Sequence, residues 1–293
     1  MKIRLIALYL LLPLIVAANA TPAFSDEVKL DGLTYDIGRN GVRAAFVISG
    51  NENDGYTAQF TLTENGGTVA SLDFIDILAE YTLPQASFVE MDNSNDTMEV
   101  FVSQFTGGAH CCAEASVFTK SATGWNQLDF GAFDGGPEGI VPQDVDFDGV
   151  SEIVTYDNAF LYAFTSYAGS RAPRQILAIR NGEVANVSAD PAFASVHRTY
   201  LEEMGTIPDA GTDTGSDRNS WLAAYAATLL LLGEPDPLDY ADQSFDPDVD
   251  WDMSECADPA LENDCPADKQ VRITFPQALR KLLAGSGYPK LPE

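Results

Sequence analysis

In the stretch Asp144-Val145-Asp146-Phe147-Asp148-Gly149-Val150-Ser151-Glu152, carboxylates stand at positions 1, 3, 5 and 9, and a glycine stands at 6. Carboxylates at alternate positions converge on one point only if the backbone curls around it, and a glycine permits the sharp turn that curling needs. The chemistry that suits such a point is capture of a hard, oxygen-seeking cation. Val150 supplies a backbone carbonyl at position 7, and Glu152 closes the far side of the shell. Carboxylates gathered around an empty point repel one another, so a divalent ion makes the arrangement tolerable. The ligand count favours calcium over magnesium, which takes fewer ligands from protein. The apolar Val145 and Phe147 are expected to be buried under the ordered loop. The competing reading is an acidic β-turn that holds no ion.

The pattern Asp-x-Asp-x-Asp-Gly-x-x-Glu followed by Ile153-Val154 resembles the calcium loop of FG-GAP or VCBS repeats, the integrin-α-like units of secreted proteins. An EF-hand would need a Glu at position 12, which is Thr155 here. The resemblance implies a loop joining two antiparallel strands, with Asp144, Asp146, Asp148, Val150 and Glu152 around calcium. The family's last ligand is usually Asp, so Glu152 is a departure.

A weaker echo lies upstream. Asp92, Ser94 and Asp96 occupy positions 1, 3 and 5 of a second stretch that continues through Glu99 to Val100. The two stretches start about 50 residues apart, within the range of repeating β units. The upstream copy lacks the glycine and carries its last acid one residue early, so it is a degenerate repeat whose ion site is expected to be lost.

Strands must position these loops. From Val28 to about Ser188, β-branched and aromatic runs alternate with turn pairs such as Asn40-Gly41, Gly66-Gly67 and Asn181-Gly182. Lys120 to Trp125 and Arg180 to Val184 read as hairpin turns. Glu152 to Tyr156 reads as the strand after the loop. The expected fold is mainly β, a partial propeller-like stack or sandwich of antiparallel units, because two recognisable repeats cannot close a propeller alone. After residue 190 the signals become helical. Asp217 or Asn219 can cap a helix through Leu232, and Pro276 can open another through Ala284 with Gly285 as its stop. The division is a signal peptide at 1–20, a β-rich domain at 21–190 and a helical region at 191–293. Within the last, Glu234 to Asp268 reads as an acidic loop closed by a Cys256–Cys265 disulfide, with Asp246, Asp248, Asp250 and Asp252 in solvent.

Gly107-Gly108-Ala109-His110-Cys111-Cys112 is the second unusual stretch. Its wording resembles exported bacterial proteins that bring no activity with them. A His110–Cys112 nucleophile pair and a soft-metal site using His110, Cys112 and His197 are alternatives to oxidised cysteines, with Cys111 bonded to Cys112. Tyr156, Phe160, Tyr162, Phe164 and Tyr167 could form a carbohydrate platform. The alternation at 160, 162 and 164 also suits a strand burying one face.

Composition bounds the function. The 293 residues hold 44 acids against 16 Lys and Arg, a net charge of −28, which excludes nucleic-acid binding through basic contacts. Lys2 and Arg4, the apolar run Leu5 to Val16 and Ala18-Asn19-Ala20 make a secretory signal cut after Ala20. The run Leu222 to Leu232 ends at Gly233-Glu234-Pro235 and has the length of a core helix, so no membrane span is expected after signal cleavage. The protein is therefore read as periplasmic or secreted, calcium-binding and β-rich. It would recognise or scaffold an envelope or extracellular protein or polysaccharide. The alternative is a carboxylate-dependent hydrolase of such a polymer, for which no acid and base can be named.

Overall fold

The computed structural model describes residues 30–289, leaving out 52, 78–81, 109–111, 136–139, 211–214, 250, 252, 259 and 261–264. The signal segment, His110, Cys111, Asp250 and Asp252 thus lie outside the described residues.

Three antiparallel units are stacked. The first is the meander β1 (Thr34–Arg39), β2 (Val42–Asn51), β3 (Gly55–Glu64) and β4 (Gly67–Ile77). The second is the meander β5 (Gln85–Val89), β6 (Glu99–Phe105), β7 (Ala113–Ser121) and β8 (Gly124–Phe133). The third has β9 (Ile153–Tyr156), β10 (Arg174–Arg180) and β11 (Glu183–Asn186), with β10 in the middle. Turn chemistry sets these registers. Asn40-Gly41, Asn65-Gly66 and Asn181-Gly182 all hold positive φ at both residues, the conformation that matches the twist of a two-residue hairpin.

Packing follows from the pleat, because successive residues of a strand point to opposite faces. On β6, Val100 and Val102 face the first unit while Phe101 faces the third. Every residue of β6 from Glu99 to Gln104 is buried, as a strand covered on both sides must be. Phe60 of β3 stacks on Phe118 of β7 with ring centroids 5.0 Å apart. On the far side, Ala113, Ala115 and Val117 of β7 meet Ile153, Leu177 and Ile179 of the third unit.

The helices cover the open face of that stack. They are α1 (Ala194–Glu203), α2 (Gly215–Leu231), α3 (Asp239–Ser244) and α4 (Phe275–Gly285). Leu222, Ala223, Ala226 and Leu230 of α2 pack with Phe275, Leu279 and Leu283 of α4 and with Phe160 and Phe164. Tyr200 of α1 donates from its hydroxyl to the carbonyl of Ala172 at 2.6 Å. No helix among the described residues is long and apolar enough to cross a membrane.

Several expectations need correction. Helix α2 starts before Asp217, and Asn219 is buried inside it rather than capping it. Its amide pins the acidic segment instead, accepting from the Asp246 N–H at 2.8 Å and donating to the Asp246 carbonyl at 3.1 Å. Asp246 is accordingly buried, not solvated. Gly285 ends α4 from within, and the left-handed residue beyond it is Gly287, at φ 76°. The acidic segment is no plain loop, since it holds α3 and the strand β12 (Ser254–Cys256), which pairs with β13 (Gln270–Arg272). Residues 158–160 and 167–169 are short 3-10 turns, not a strand. Phe160 in the first turn and Phe164 between the two are buried, while Tyr162 is exposed.

Cys256 and Cys265 are joined, with Cα atoms 5.6 Å apart. By the loop-closure model such a short ring is worth about 3 kcal/mol. Replacing both cysteines by serine is expected to lower the free energy of unfolding by about that amount, seen as a lower midpoint of denaturant unfolding, and an unchanged midpoint would show the crosslink to be idle.

Candidate metal centre

The nine-residue loop leaves the third unit at its first strand. Gln143 and Glu152 pair backbone to backbone in both directions at 2.8 Å, which closes the loop's neck. Inside it, the backbone folds onto its own carboxylates. The Asp148 N–H donates to Asp144 Oδ1 at 3.1 Å and Asp146 Oδ1 at 3.2 Å, and the Gly149 N–H donates to Asp144 Oδ2 at 3.0 Å. Gly149 sits at φ 92°, where a side chain would be strained. Phe147 also holds a positive φ, 64°, and is 90% exposed, so the expected burial of both apolar positions fails there. The turn that brings the Asp148 and Gly149 N–H groups onto the Asp144 carboxylate leaves Phe147 at the tip of the loop, outside it.

Asp144, Asp146 and Glu152 each bring an oxygen within 4.8 Å of the others. Asp148 lies outside this group, its Oδ1 accepting from the Val150 N–H at 2.8 Å. Val150 is buried at the end of the loop. Glu152 is the unusual member. It is fully buried, its Oε2 has only a long contact of 3.4 Å from the Val145 N–H, and its Oε1 has no partner. Burial pushes its carboxyl up to about 7, and the neighbouring Asp146 and Asp148 add to the rise against the Val145 hydrogen bond and Arg180. A buried carboxyl oxygen with no donor is costly unless something positive meets it. The donor set is all oxygen, which fits calcium.

The upstream repeat shows what a satisfied version looks like. Glu99, equally buried, accepts from the N–H groups of Met91 at 2.8 Å and Asp92 at 3.0 Å through Oε2. Its Oε1 accepts from Asn95 Nδ2 at 3.2 Å and Thr119 Oγ1 at 3.0 Å. Protein donors thus stand where a cation would. The Asp92 carboxylate likewise accepts from the Ser94 N–H at 3.1 Å. Asp96 makes no such contribution to Glu99. Asn95 and Thr119 were not legible as site residues, because a strand hydroxyl and a loop amide carry no spacing signal.

Glu90 also escaped sequence reasoning. Its carbonyl accepts from the Ser151 N–H at 2.7 Å, which fastens the loop to the second unit, and its own Oε1 is buried without a partner. Burial raises its carboxyl above the usual range.

The soft-metal reading loses Cys112, one of its two described members. Cys112 is in a disulfide, and no described cysteine is free. His197 Nε2 lies 2.7 Å from the Ser188 carbonyl, so that nitrogen carries the proton. Burial lowers the pKa of the ring.

Similarity to known proteins runs along most of the chain. Residues 197–287 match the family described as the sll0997 C-terminal domain. The chain is 36% identical over 274 residues to the probable thylakoid lumen protein sll0997 of Synechocystis sp., covering 90% of this chain and 77% of that protein. It is 31% identical over 206 residues to the protein y4bJ of Sinorhizobium fredii, covering 70% of this chain and 32% of y4bJ, so it spans about a third of that longer relative. At that identity and coverage, the chain belongs to the family of the Synechocystis protein sll0997.

Proposed function

We propose that this is an exported, calcium-binding recognition or scaffolding protein of the cell envelope, periplasmic or secreted. The observation that carries the reading is Glu152, a buried carboxylate whose Oε1 has no donor while Asp144 and Asp146 stand beside it. The resemblance of Asp144 to Val154 to FG-GAP and VCBS calcium loops supports the choice of ion. Export is supported by the signal-like residues 1–20 and by the relative named as a probable thylakoid lumen protein.

The role of the ion is structural. The loop joins the second unit to the third, with its neck on Gln143 and its Ser151 N–H on Glu90. A cation there neutralises the loop's acids and stiffens the joint between the two units. The stack then presents rigid surfaces to a partner. Titration calorimetry tests this reading: one calcium ion per chain is expected, with uptake lost in Asp146→Ala, and a wild-type protein that takes up no calcium would overturn it.

A further inference from the structure

The C-terminal region carries a cleft of about 470 Å³ between the acidic segment and the start of α4. Trp251, Met253, Ile273 and Phe275 make its apolar wall, and Asp248 and Arg272 also line it. That wall is built rather than loose. Asn219 pins the Asp246 backbone on both sides, Met253 accepts from the Ile273 N–H at 3.0 Å, and the Cys256–Cys265 bond braces the adjoining β12–β13 pair. Its size lies in the range of sites for small organic ligands.

An independent observation lies at its edge. The Trp251 indole donates to the carbonyl of Tyr162 at 2.9 Å. Tyr162 holds φ 61°, a strained conformation for an aromatic residue, and yet the residue is 54% exposed. The strain is maintained by the Trp251 bond on one side and by Ser170 Oγ, which accepts from the Tyr162 N–H at 3.0 Å, on the other. Its ring lies 5.8 Å from that of Tyr167, whose hydroxyl donates to Asp134 at 2.6 Å. Core packing does not account for a strained ring held out in solvent, and strain of this kind clusters at ligand-binding sites.

We infer that Trp251, Tyr162 and the cleft beside them bind a neutral pyranose chain. Flat aromatic faces suit the C–H face of a sugar ring. Asp248 offers acceptor oxygens to sugar hydroxyls, and with Asp246 and Asp248 against Arg272 the lining carries no net positive charge that would select an anion. A chain of net charge −28 also disfavours anionic polymers at an acidic cleft. This names a ligand class for the recognition reading and rests on that half of it, not on calcium.

The test uses cellotetraose, xylotetraose, mannotetraose and N-acetylchitotetraose, with calorimetry and tryptophan fluorescence as readouts. At least one should bind, and Trp251→Ala should weaken it by about tenfold or more. Tyr162→Gly is the discriminating variant, because glycine takes positive φ freely: its melting temperature should not fall while sugar affinity does. Asp146→Ala, which separates the calcium site, should bind sugar as the wild type does. Absence of binding to every probe, or binding that survives both Trp251→Ala and Tyr162→Gly, would overturn the inference.

Discussion

Saturating calcium should raise the melting temperature of the protein by roughly 5–10 °C, and neither Asp146→Ala nor Glu152→Gln should show that gain. A ligand bound only by the folded state stabilises it by about 2.7 kcal/mol at a hundredfold excess over its Kd, and in chains of this size each kcal/mol moves the transition by about 2–4 °C. The two variants differ without calcium. Glu152 is fully buried with one oxygen unpartnered, so replacing its carboxylate by a neutral amide of the same shape should leave the calcium-free protein as stable as the wild type or more so. Asp146 is less buried, and its Oδ1 accepts from the Asp148 N–H, so its truncation removes a loop contact as well as a ligand. Glu152→Gln should therefore reverse sign with calcium: neutral or stabilising without it, destabilised relative to wild type with it. Melting curves of the three proteins with calcium and with chelator decide the matter. Equal shifts in all three would mean that the loop is not the site.

Phe60→Ala should cost about 3–5 kcal/mol, the range for deleting a fully buried aromatic ring. Phe60 is wholly buried, lies 5.0 Å from Phe118 across the joint between the first and second units and 5.2 Å from Phe46 within the first. Its removal opens a cavity at the place where one sheet is fastened to the next. Urea unfolding should show the loss, and hydrogen exchange should show β1–β4 opening before β9–β11, since each layer of the stack leans on its neighbours. A cost below about 1 kcal/mol would mean that the first unit does not pack on the second as described.

The turns were the most legible part of the chain, because their chemistry is local. Asn40-Gly41 and Asn181-Gly182 announce positive φ from composition alone, and both are hairpin turns. The apolar run of α2 and the Pro276 start of α4 were also readable, although the start of α2 and the stop of α4 were not. Helix α1 carries no clear sequence signal, because its buried face is made of His197 and Tyr200, polar residues that find the Ser188 and Ala172 carbonyls only after folding. Asn219 looks like a cap for the same reason, since its partner Asp246 is distant in sequence. At the loop, spacing alone singled out the carboxylates of Asp144, Asp146 and Glu152, which the fold gathers. It could not show that Asp148 turns to the Val150 N–H, nor that Asn95 and Thr119 satisfy Glu99 in the degenerate copy. Those facts depend on where neighbouring strands place their donors.

The reading of the loop is tested most directly by a crystal structure grown with calcium, with anomalous scattering used to locate the ion. One peak is expected about 2.3–2.6 Å from oxygens of Asp144, Asp146 and Glu152, the unpartnered Oε1 of Glu152 among them, with none beside Glu99. A peak at the Asp92 loop instead, or density at Glu152 with no ion while its Oε1 still lacks a partner, would contradict it.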